Sequence, residues 1–114
     1  MDGQVHRHAV ELFNEGNFFE AHETWEDIWR VSREPEKKFL QGLIQIAVAL
    51  HHHSTGNIAG ARSLLARGSR NLSGYPDNFC GTLVVALRQS LAEWERSLAE
   101  GRPVPPLPQL RYFP

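Results

Sequence analysis

Apolar residues recur along this chain at spacings of three and four, and glycine punctuates the runs. No segment alternates apolar and polar residues with β-branched enrichment, so the pattern predicts helices and no strands. Val5, Ala9, Leu12 and Phe13 mark a first helix that stops at Gly16-Asn17, a pair suited to a C-cap and tight turn. The second helix runs from about Phe18 to Val31 and closes before Glu34-Pro35, because the residue ahead of a proline avoids the helical region. The third starts after Pro35 and continues to about Ser54, ending at Gly56-Asn57. The fourth covers about Ile58 to Leu72, and Ser73-Gly74-Tyr75-Pro76 reads as a loop. Asp77 is placed to N-cap a fifth helix, whose stripe Phe79, Leu83, Leu87, Leu91, Trp94 and Leu98 leads to Gly101. The predicted fold is all-α: a compact bundle of about five helices over residues 1–102.

Residues 103–114 form a proline-rich tail, with Pro103, Pro105, Pro106 and Pro108 dictating an extended course. Leu107, Leu110, Tyr112 and Phe113 are too apolar for a free linker, so the tail is expected to lie on the bundle or on a partner. A homodimer is one way of covering them.

A weak internal repeat underlies the helices. Residues 12–21 can be laid over residues 52–61, an offset of 40 that matches Gly16-Asn17 with Gly56-Asn57, Ala21 with Ala61 and Arg30 with Arg70. Each copy is a helix, a tight turn and a second helix, the plan of an αα-hairpin. The resemblance to tetratricopeptide repeats is loose, and two copies are too few for a solenoid.

Composition narrows the class without naming a function. The chain has 114 residues, 41% of them hydrophobic and 22% charged, as expected of one globular domain. Its formal charge of −1 supplies no bulk attraction for nucleic acid or anionic membrane, so neither is expected as a partner. The longest apolar stretch, Phe39 to Leu50, is interrupted by Gln41 and Gln45 and is too short to span a bilayer, which takes ~20 residues. A single cysteine, Cys80, excludes an internal disulfide, and the N-terminus lacks a signal pattern; both point to the cytoplasm. Cys80 lies near the fifth helical stripe and reads as a small buried hydrophobe.

The least ordinary chemistry sits on the second helix. Phe18, His22, Trp25 and Trp29 fall within an arc of about 60°, which places an imidazole in the middle of an aromatic face. Glu26, one turn on, is in reach of His22, while Glu23 lies farther round and Glu20 and Asp27 face solvent. His22-Glu23 begins like the zinc-protease pattern His-Glu-x-x-His, but Glu26 stands where the second histidine would be. What remains is a His/carboxylate pair suited to a divalent metal or to proton transfer. The alternative is a buried histidine satisfied by Glu26 as a structural hydrogen bond.

Further ligands could come from the third helix, which is apolar nearly all round and therefore central. Gln41, Gln45 and His52 form one polar stripe along it, and the His22/Glu26 edge is its expected partner. His51 projects toward the apolar face and His53 outward. Arg62 flanks the packed face of the fourth helix and could reach Glu26 or an anionic ligand, whereas Arg67 and Arg70 point outward. His6 and His8 are expected on the surface.

The run from Phe18 to Trp29, with Gln41-Gly-Leu-Ile-Gln45 and Gly56-Asn57-x-x-x-Ala61, resembles the bacterial and archaeal domain of unknown function DUF309 over roughly residues 6–76. That family is recognised by His-x-x-x-Glu-x-x-(Trp/Tyr), matched by His22, Glu26 and Trp29. The resemblance implies an all-helical fold and a motif suggested to bind metal, with no established reaction and no catalytic residue named. Two functions follow. One is a metal-binding, hydrolytic enzyme with His22 and Glu26 as ligands and His52, Gln45 or Glu23 completing the set. The other is a non-catalytic, tetratricopeptide-like interaction module in which His22 and Glu26 serve the core.

Overall fold

A computed structural model describes residues 1–112, in which the helical pattern is realised as five α-helices. They are α1 (Gly3–Asn14), α2 (Phe18–Trp29), α3 (Glu36–Ser54), α4 (Ile58–Leu72) and α5 (Val84–Glu100), with a short 3-10 turn at Phe79–Gly81. Asp2 caps α1 by accepting from the backbone N–H groups of Gln4 and Val5. Two turns of the same kind close the hairpins. Gly16 and Gly56 take φ of +85° and +86°, a region that glycine enters without steric penalty. After Gly56, the Asn57 side chain caps α4 through the Gly60 N–H at 3.0 Å.

The helices pack in chain order, α1 on α2, α2 on α3, α3 on α4 and α4 on α5. The central helix, α3, meets its two neighbours on opposite sides. Gly42, Gln45 and Ile46 face α4, whereas Lys37 and His51, roughly 180° round the helix, touch Trp29 and Phe19 of α2. The α3–α4 crossing is close: a Cβ on Gly68 would stand 2.9 Å from the Gly42 carbonyl oxygen and 2.6 Å from Ile46 Cγ1. Trp25, Phe13, Phe39, Leu43, Leu65 and Trp94 are among the fully buried large side chains.

Three expectations are corrected. Helix α5 begins at Val84 and not after Asp77, because Asn78 and Cys80 adopt left-handed φ of 72° and 51° and break any helix there. Asp77 still caps it, accepting from the Val85 N–H at 3.3 Å across the intervening loop. His6 is a core residue, 4% exposed, and not a surface one. His53 does not point freely outward but lies edge-on to Trp94, with ring centroids 5.0 Å apart.

The tail runs back over the bundle. Trp94 Nε1 donates to the Pro106 carbonyl at 3.0 Å, the Leu83 N–H donates to the Arg111 carbonyl at 2.8 Å, and Leu110 is buried. The Asn14 amide brackets Leu110, donating to its carbonyl at 3.0 Å and accepting from its N–H at 2.8 Å. Tyr112 lies under the Arg7 guanidinium, while Leu107 stays half-exposed and Phe113 falls outside the described residues. Among the described residues no helix is long and apolar enough to cross a membrane.

Candidate functional site

Helix α2 divides its chemistry between two faces. Phe18, Ala21, Trp25 and Ile28 face the core, and Trp25 Nε1 donates to His6 Nδ1 of α1 at 3.0 Å. That bond explains why an imidazole is buried there. Burial holds the His6 pKa down at about 4, so the ring is neutral and its Nδ1 lone pair is free to accept. The other nitrogen, Nε2, then carries the proton and has no protein partner.

The rest of the α2 surface, from His22 beside the core face round to the solvent side, lines an open cleft of about 530 Å³ with Glu20, Glu23, Glu26, Asp27 and His8 of α1. His22 and Glu26 are paired, Nε2 to Oε1, at 3.1 Å. The other ring nitrogen, Nδ1, contacts the Phe19 backbone carbonyl. A carbonyl and a carboxylate can only accept, so both ring nitrogens of His22 face acceptors. A neutral imidazole has one N–H and can satisfy one of them. The second contact is complete only if Nε2 also carries a proton or shares a cation with Glu26. Glu26 is held in turn by Arg30, whose guanidinium lies 3.6 Å from Oε2 and 3.1 Å from Asp27 Oδ1. Phe19, half-exposed, stacks edge-on to His22 with ring centroids 4.8 Å apart and also covers His51 at 5.4 Å.

The remaining residues singled out from the sequence are dispersed. Glu23 joins the cleft. Trp29, although part of the motif, does not line it; its ring lies under Lys37 Nζ at 4.3 Å and its buried Nε1 has no partner. Gln45 is bonded to Asn71 of α4 at 2.7 Å, so the expected partnership with the His22/Glu26 edge is corrected: α3 turns this amide toward α4. Gln41 is exposed and needs no buried partner. His52 contacts Asn57 at 3.4 Å, at the end of α3, and Arg62 is exposed on α4. Among the described residues no group of three or more His, Cys, Asp or Glu could hold a metal ion. Cys80 is half-buried, and burial pushes its thiol up to about 11, which leaves it protonated and unreactive.

The sequence reading missed His6, Lys37 and Asn71. A signal existed for the first: His6, Ala9, Val10 and Phe13 share the buried face of α1 at helical spacing. None existed for the other two, since each is chosen by how neighbouring helices are placed.

Residues 6–64 match the family described as Domain of unknown function (DUF309). The chain belongs to this family. The matched span holds His22, Glu26 and Trp29 and ends within α4, so α5 and the tail lie beyond it. An uncharacterized protein of Aquifex aeolicus (strain VF5) is 30% identical over 112 residues, which is 97% of this chain and 32% of that protein. The uncharacterized protein YpuF of Bacillus subtilis (strain 168) is 41% identical over 68 residues, 57% of this chain and 38% of that protein. The chain spans about a third of the length of these curated relatives.

Proposed function

We propose that the His22–Glu26 pair is the ligand-binding centre of this protein and that its ligand is a partly hydrated divalent cation. The supporting observation is the double acceptor contact of His22. With Nδ1–H donating to the Phe19 carbonyl, the Nε2 lone pair is directed at Glu26, the arrangement in which a second contact fixes the tautomer of a ligating histidine. Two donors each ~2.1 Å from one ion and adjacent in its coordination sphere lie about 3 Å apart, and Nε2 and Oε1 are separated by 3.1 Å. Two donors in an open cleft suit an ion that keeps most of its water; they do not suit a closed tetrahedral zinc site, which takes about four. Such an ion would supply positive charge to hold or polarise an anionic group of a bound molecule. In that arrangement Arg30 fixes Glu26, and Glu23 stands in the cleft as a partner for coordinated water.

The test is titration with Mn²⁺ followed by calorimetry and by the electron-spin signal of the ion. About one equivalent is expected to bind, weakened at least tenfold in His22→Ala and in Glu26→Gln with little change in melting temperature. No binding by the wild type would overturn the proposal. The second reading, a non-catalytic interaction module, draws on the exposure of Phe19 at the cleft rim; under it Mn²⁺ changes nothing and both substitutions destabilise the fold. For location, we infer the cytoplasm from the single unpaired thiol, Cys80.

A further inference from the structure

The charges of this chain are segregated to a degree that its net charge of −1 conceals. Residues 1–29 hold seven carboxylate side chains and one arginine, Arg7, a formal charge of −6; residues 30–114 hold eleven cationic and six carboxylate side chains, a formal charge of +5. The structure turns this division into two surfaces. Glu20, Glu23 and Asp27 are exposed on α2. Helix α4 has no acidic residue, and its arginines Arg62, Arg67 and Arg70 are all exposed. Among the described residues, none of those three arginines forms an ion pair, and neither does Glu20 or Glu23. Because α2 and α4 pack on opposite sides of α3, the acidic and basic surfaces lie on opposite flanks of one molecule.

We propose that the arginine face of α4 docks on the carboxylate face of α2 in a second copy of this chain. Charge complementarity selects the occupant. A polyanion would match α4 alone and leave the carboxylates of α2 unpaired, whereas a second copy matches both surfaces at once. Each surface also offers an apolar anchor at its margin, Phe19 on the acidic side at 51% exposure and Ile58 on the basic side at 42%. The contact is heterologous, one surface meeting a different one, and the two lie on opposite flanks. A pair of copies therefore leaves a free surface at each end, and association continues beyond a dimer.

The proposal does not rest on the metal site, and chelator is present throughout its test. Sedimentation equilibrium of the full chain at about 20 mM salt, where charges interact over ~20 Å, is expected to give a mass that rises with concentration beyond twice the monomer value. At about 0.5 M salt the mass should return to that of the monomer. Glu20→Lys/Glu23→Lys and Arg62→Glu/Arg67→Glu should each abolish association alone and restore it when mixed, while His22→Ala associates as the wild type does. All four substituted side chains are exposed, and thermal melts establish that both variants fold. A wild type that stays monomeric at low salt overturns the proposal. So does association that survives high salt or both reversals, or a monomer that instead binds heparin through Arg62 and Arg67.

Discussion

The two hairpins of this molecule share a turn and differ in almost everything packed behind it. At the offset of 40 residues, His6 corresponds to Ile46, Trp25 to Leu65 and Ile28 to Gly68. In the first hairpin the interface is aromatic: the Trp25 and Phe13 ring centroids lie 5.9 Å apart, and Trp25 donates its indole N–H to His6. In the second, glycines bring the backbones of α3 and α4 nearly into contact, and the polar pair that spans them, Asn71 to Gln45, is satisfied. The outward positions diverge as well. His22 and Glu26 correspond to Arg62 and Ala66, so the paired cleft of α2 has no counterpart on α4. One hairpin is a close-packed support. The other tolerates a buried, half-satisfied imidazole and carries the polar site. Departures from tidy packing are expected where function resides.

If the first interface depends on its aromatic filling, Trp25→Ala should have the largest effect. Removal of a fully buried tryptophan costs about 4 kcal/mol, and here it also strips His6 of its donor. Leu65→Ala, at the corresponding position, should cost about 3 kcal/mol. Urea denaturation of both variants tests the order, and a reversal would mean that the aromatic interface is not the principal support of α1. The next largest effect is on pH dependence. The unfolded chain protonates His6 near 6.5, whereas the folded chain resists until about 4. Between those values the unfolded state binds more protons, so stability is unaffected above 6.5, falls as pH drops toward 4 and levels off below it. The loss attributable to His6 is about 3 kcal/mol. It should appear as the difference between the pH–stability curves of the wild type and His6→Gln, measured by denaturant unfolding, with the second hairpin contributing nothing comparable from Ile46. Parallel curves would show that the buried imidazole is not what distinguishes the two interfaces.

What was legible in the sequence follows the range of the interaction concerned. Helices α3 and α4, the two Gly-Asn turns and the His22–Glu26 pair are set by neighbours within about one turn, and periodicity reports such neighbours directly. The start of α5 was not legible. Pro76, Asn78 and Gly81 are turn formers, but nothing marks Cys80 as left-handed, and Asp77 looks like a local cap although its partner is Val85, eight residues on. His6 shares the apolar stripe of α1, but the group that satisfies its buried imidazole is an indole N–H from another helix, which the stripe does not show. The wider site fails for the same reason. Gln45, His52 and Arg62 were gathered around His22 by assuming how α3 and α4 face α2, and that rotation is decided by Gly42 and Gly68, whose missing side chains let α4 approach α3 and take Gln45 with it.

The smallest of these effects tests that last point most directly. A methyl group added at Gly68 would meet Ile46 Cγ1 at 2.6 Å and the Gly42 carbonyl oxygen at 2.9 Å. The isoleucine can rotate away, but the carbonyl belongs to the backbone of α3 and cannot move without the helix. Overpacking of this kind costs about 2 kcal/mol, and the better helix propensity of alanine returns up to ~1 kcal/mol, so Gly68→Ala should destabilise by about 1–2 kcal/mol. Adding Ile46→Ala to the variant removes the side-chain clash and leaves the backbone one, so the double variant should remain less stable than Ile46→Ala alone. Unfolding curves of the three variants decide it. If Gly68→Ala proves neutral, or if Ile46→Ala rescues it fully, then α3 and α4 are free to separate, and close backbone approach is not what turns Gln45 away from α2.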